Sequence, residues 1–149
     1  MTPFRFRLQR VLAVRLTQFR VAESECRLAE GRLRMIQARH ASLAATKSET
    51  RNSIARLSVV GGGTLQPLSG WFHWTEAEAG RLTRQEKILA QELQKFRATL
   101  VEAHRKVRLL EKLHDKGKAE WLAGFDREIE EIAADSFNSR YARERKGTG

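Results

Sequence analysis

A stripe of apolar residues at three- and four-residue steps runs through most of the chain, and it constrains the fold more than any other feature. In the first segment it reads Leu8, Leu12, Arg15, Phe19, Ala22, Cys26, Ala29, Leu33, Ile36, His40, Leu43, Lys47, Thr50, Ile54 and Leu57. From Leu12 onward the steps alternate strictly between three and four, which is a heptad repeat of period 3.5. A second segment carries it through Leu82, Glu86, Leu89, Leu93, Phe96, Leu100, Ala103, Val107, Leu110, His114, Gly117 and Trp121. It then slips by a four-residue step to Phe125, Ile129 and Ile132, as in a stutter that locally unwinds a supercoil. A stripe this narrow covers one side of a helix and must be buried against another helix.

Between the two segments the run from Val59 to Gly70 contains Gly61, Gly62, Gly63 and Pro67, which mark a chain reversal. Two heptad helices joined by a short loop lie antiparallel. The expectation is an all-α fold, a single antiparallel two-helix coiled-coil hairpin over 1–149. Helix 1 is placed at about 4–58, the loop at about 59–70 and helix 2 at about 71–142. Matching large layers to small ones gives facing residues that sum to about 136. That register sets Ile36 against Leu100, Leu33 against Ala103 and Arg15 against Trp121. Ser69, or Thr75 with Glu78 in a Thr-x-x-Glu box, is the candidate cap of helix 2. The polar tail from Asp135 is expected to fray.

Catalytic spacing is absent. His40, His73, His104 and His114 are far apart, and none has metal-ligand spacing beside a cysteine or carboxylate motif. His40, His114 and the lone cysteine, Cys26, fall on the stripe, where a packing role is favoured over ligation. The Gly61-Gly62-Gly63-Thr64 run lacks the lysine of a phosphate loop. No enzyme activity, metal or cofactor is expected. One cysteine excludes an intrachain disulfide framework and favours a reducing compartment. The opening MTPFRFRLQR has no apolar core of a secretory signal, and no apolar run reaches the roughly 18 residues of a membrane span. A soluble, cytoplasmic chain is expected.

Charge is uneven. Lys and Arg number 28 against 18 Asp and Glu, and residues 1–60 alone hold 12 basic and 4 acidic groups. An Arg-rich helix is either a solvated coiled-coil face or an electrostatic footprint for an acidic partner. Nucleic acid is disfavoured, because no groove-reading motif or stacking platform accompanies the charge. The aromatic group Trp71-Phe72-His73-Trp74 points around more than one side of a helix. It is either a plug at the loop end or a docking surface, since tryptophan is enriched at binding hot spots.

The opening Phe4-Arg5-Phe6-Arg7-Leu8-Gln9-Arg10-Val11-Leu12 resembles the signature of the flagellar export protein FliJ family. The spaced Trp71 and Trp74 are similar to the family pattern. So is the late stretch from Val107 through Leu110-Glu111-Lys112-Leu113, Lys118 and Trp121 to Phe125-Asp126-Arg127-Glu128-Ile129-Glu130-Glu131-Ile132-Ala133. Gly117 and Gly124 depart from it, standing where helix formers are usual. The resemblance implies a non-enzymatic stalk of the type III export apparatus, like the gamma stalk of rotary ATPases. Its implied partners are the hexameric export ATPase FliI, the export gate FlhA, FliH and export chaperones, with no DNA. It implies a cytoplasmic protein associated peripherally with the inner-membrane export apparatus. Arg5, Arg7, Arg10, Trp121, Phe125, Glu128 and Ile129 are the implied ATPase contacts, and Trp71, Phe72 and Trp74 the implied gate contacts. The equivalent stalk of a virulence secretion system shares this reading. A basic coiled coil that binds nucleic acid or a membrane surface is the competing class.

Overall fold

Strong helix formers and an uninterrupted stripe yield two long helices. The computed structural model describes residues 2–57 and 62–148, with the backbone alone described over 62–65. Helix α1 spans Gln9–Arg56 and helix α2 spans Gly62–Gly147, with no strand among the described residues. The two pack as an all-α, antiparallel coiled-coil hairpin. The side chains facing inward are those of the heptad stripe. Leu12, Ala22, Cys26, Ala29 and Ile36 are buried on α1, and Leu82, Leu93 and Val107 on α2.

Both helices start elsewhere than the sequence suggests. Residues 2–6 are not helical, and α1 begins only at Gln9, after a turn in which the Gln9 amide donates to the Phe6 carbonyl at 3.1 Å. Helix α2 begins at Gly62 rather than near 71 and takes in Pro67 and Gly70. Residue 58, the expected end of helix 1, and residues 59–61 of the expected loop lie outside the described residues. Pro67 removes one backbone donor, yet it sits close enough to the helix start to be accommodated there. Neither proposed cap therefore caps α2. Thr75 lies in mid-helix, 1% exposed, and its hydroxyl donates to the Phe72 carbonyl at 2.8 Å. That back-bond satisfies a polar group in an otherwise apolar seam. The tail expected to fray is helical as far as Gly147, where Arg145 and Lys146 complement the negative end of the helix dipole.

The contacts resolve into two compact units. One comprises Phe19–Ala103. Its core is Cys26, Ala29 and Leu93, with Leu33, Phe96 and Leu100 packed against it. Small residues on α1 face large ones on α2, so the layers interdigitate. Leu82 and Leu93 are each at least nine-tenths buried, and such a side chain contributes roughly 1.5–3 kcal/mol. Cross-helix polar pairs flank the core. Arg97 reaches Glu30 at 3.5 Å, His40 lies 3.4 Å from Glu86, and Lys47 lies 3.8 Å from Glu76. Facing residues in this unit therefore sum to about 125, which corrects the register of 136. Leu100 meets the Cys26 and Ala29 layers rather than Ile36. The cause is the earlier start of α2, which moves the reversal toward the N-terminus.

The other unit comprises Met1–Gln18 with His104–Gly149. Leu12 and Val107 are its buried apolar groups, and Gly117 lies under the ring of Phe4. Trp121 packs beside Phe4 rather than opposite Arg15.

Helical glycines offer a direct check on the two helices. A Cβ added at Gly31 or Gly80 would meet nothing within 4 Å. Each of Gly31→Ala and Gly80→Ala should raise stability by about 0.5–1 kcal/mol, because alanine loses less backbone entropy in a helix. Thermal unfolding followed by circular dichroism checks this, and a lowered midpoint would contradict helix at that position.

Candidate functional site

The two groups of site residues proposed from the sequence fall in different units, and each is built locally. In the unit of residues 1–18 and 104–149, the Phe-Arg-Phe-Arg run forms a non-helical strap along α2. Phe4 and Phe6 are half-buried while Arg5 and Arg7 are exposed, so alternate side chains of the run face inward. Phe4 sits edge-on to His114 at 5.4 Å between ring centroids, and Phe6 does the same at 5.1 Å. Phe4 also lies 6.2 Å from Trp121, which stacks on Phe125 at 5.6 Å and 19°. The Trp121 indole N–H donates to the Thr2 carbonyl at 3.1 Å, tying the strap at its start. Edge-to-face pairs of this kind contribute about 0.5–1.5 kcal/mol each beyond their buried area.

This arrangement changes the placement of the arginines. Arg5 and Arg7, expected within helix 1, lie outside it and project from the strap, and Arg10 joins them from the first turn of α1, all three exposed. Trp121 and Phe125 are half-buried in the aromatic cluster, whereas Glu128 and Ile129 are exposed beyond it. The unit presents an aromatic base with the exposed Arg5 and Arg7 on the strap beside it. Sequence reasoning missed the roles of Phe6 and His114. The two-residue spacing of Phe4 and Phe6 was the signal, masked by the heptad.

In the unit of residues 19–103, the aromatic group lies on the first turns of α2. Trp71 and Phe72 make an edge-to-face pair at 5.1 Å, and the Arg51 guanidinium sits 5.7 Å above Phe72. Both rings are half-buried, while Trp74 is 56% exposed. Trp71 and Trp74 line a shallow groove with Leu43 and Leu82, rimmed by Arg39, Glu78 and Arg81. Arg81 donates to Glu78 from Nε at 3.0 Å. That hydrogen bond, aided by the guanidinium charge, holds the Glu78 carboxyl below its ordinary value. Glu78 is thus an acceptor on the groove rim.

The groups capable of chemistry are otherwise dispersed. Among the described residues no cluster of three His, Cys, Asp or Glu side chains could hold a metal ion. Cys26 is buried in the seam. Among the described residues no helix is long and apolar enough to cross a membrane. No family model, curated protein or solved structure matches the chain.

The strap makes a measurable claim. Clasping by Phe4 and Phe6 should restrict tryptic cleavage after Arg5 and Arg7. Phe6→Ala should accelerate that cleavage several-fold, as the loss of one aromatic contact of about 1 kcal/mol implies, with helicity unchanged. An unaltered cleavage rate would mean that the segment is not held by its aromatic side chains.

Proposed function

We propose that this chain is the non-enzymatic stalk of a bacterial flagellar type III export apparatus, promoting assembly of the export ATPase ring and contacting the export gate. The observation that carries the reading is the meeting of the two stretches that resemble the FliJ family. The opening 4–12 and the late stretch 107–133 belong to one unit, with Phe4 against Gly117 and Trp121. A resemblance spread over two distant segments gains weight when those segments build one surface.

On this reading the strap unit enters the ATPase ring. Arg5, Arg7 and Arg10 face carboxylates of the ring, and Trp121 and Phe125 keep the strap rigid so that the charges arrive in fixed positions. The contact is electrostatic and suits a stalk that binds a ring without locking to it. The exposed Trp74, with Trp71 behind it, offers the export gate an aromatic anchor. Escort of empty chaperones and contact with FliH belong to the same proposal. The exposed charge and the tapering apolar seam suit a cytoplasmic protein held at the inner membrane through its partners.

The test is reconstitution with the purified export ATPase. Reversing Arg5, Arg7 and Arg10 to glutamate together should weaken stimulation of the ATPase roughly tenfold. Three exposed contacts of about 0.5 kcal/mol each give that factor. Added salt should weaken the unaltered protein in the same way. Stimulation indifferent to both would sink the stalk reading, and preferential binding of RNA would replace it with the nucleic-acid class.

A further inference from the structure

Beyond Phe125 helix α2 has no counterpart among the described residues, and every described residue from Asp126 to Thr148 is exposed. The apolar groups there are large. Ile129 is 48% exposed and Phe137 70%. Six turns of helix that leave their apolar groups uncovered call for a partner, since helices in proteins owe most of their stability to packing of an apolar face.

The order of residues says which partner fits. At about 100° per residue, Asp126, Ile129, Ala133, Phe137 and Arg140 all point within about 40° of one direction. Their chemistry is symmetric about Ala133. An apolar residue lies four positions to either side, and seven positions away an acid on one side answers a base on the other. Charge follows the same division. Residues 120–135 hold six acidic groups and one basic, and residues 136–149 hold four basic and one acidic. A face of this kind is complementary to itself run backwards.

We propose that α2 of a second copy packs antiparallel on this face, with the twofold axis at Ala133. Ile129 of each copy then meets Phe137 of the other, and Asp126 of each meets Arg140 of the other, so the apolar contact and the ion pair each form twice. The small Ala133 on the axis lets the two backbones approach closely. This is the isologous geometry of a homodimer, in which residue i contacts j and j contacts i. A parallel pairing would set acid against acid and base against base, which charge opposes. The inference goes beyond the stalk reading. It concerns the free chain and predicts a resting dimer.

Sedimentation equilibrium of the whole chain at low salt should show a reversible dimer. Asp126→Arg should raise its dissociation constant at least about tenfold. The double exchange Asp126→Arg with Arg140→Asp restores the complementarity and should return the constant to within a few-fold of the original. In a Cys26→Ala background, Ala133→Cys should form a disulfide between copies on mild oxidation, and Glu131→Cys, on the far side of the helix, should not. Circular dichroism of each variant separates loss of pairing from loss of helix. A chain that stays monomeric at every concentration overturns the proposal. So does a dimer that ignores the charge exchange, or one that crosslinks as well from position 131.

Discussion

A single apolar seam holds this molecule together. Each helix buries only the residues that recur every 3.5 positions, so cohesion comes from a line of layers rather than from a rounded core. The layers of Cys26, Ala29 and Leu93 show how it works. Small groups on α1 let the helices approach, and Leu93 and Phe96 on α2 fill the gap. A seam of period 3.5 is nearly indifferent to sliding by whole heptads, since each shift sets apolar against apolar again. What fixes the register is the point at which the chain turns back, helped by flanking pairs such as Glu30 with Arg97 and Lys47 with Glu76.

The observed register, near 125, decides the character of the ends. It leaves no helical partner for α2 from Gly117 to Trp121, and there the non-helical N-terminal strap takes over. Phe4 and Phe6 supply with flat rings what the heptad would have supplied with leucine, and the Phe4 ring rests over Gly117, 3.6 Å from where a Cβ would be. Further along α2 no described residue remains to pack, so Ile129 and Ile132 continue the stripe into solvent. One choice of reversal thus produces both the clasped aromatic base and the uncovered helical extension.

The sequence disclosed the parts that depend on local periodicity. The stripe residues from Leu12 to Ile54 and from Leu82 to Phe125 are buried or half-buried, Cys26 among them. It did not disclose the parts that depend on comparing distant alternatives. Size-matching favoured Leu33 against Ala103, but several registers satisfy size. The choice turned on whether Gly62 to Gly70 is helical, where propensity pointed the wrong way because glycine and proline weaken helix without forbidding it. The strap was obscured differently. Phe4 and Leu8 fit both a two-residue and a four-residue period, and only burial of Phe6 separates them. Of the site residues, exposed Trp74 and the exposed arginines were legible as candidates, while His114 took on a role only once the strap was in place.

The central claim is the register, and site-directed crosslinking of the monomer tests it most directly. In a Cys26→Ala background, cysteines replacing Gln37 and Glu86, whose side chains lie 3.4 Å apart, should be joined efficiently within one chain by a short bifunctional reagent. Cysteines replacing Gln37 and Thr99, which the size-matched register would oppose, should stay unlinked, because 13 residues of helix separate position 99 from position 86 by about 20 Å. Efficient linkage of 37 to 99 with none of 37 to 86 would contradict the account. Links formed solely between chains would contradict the hairpin itself.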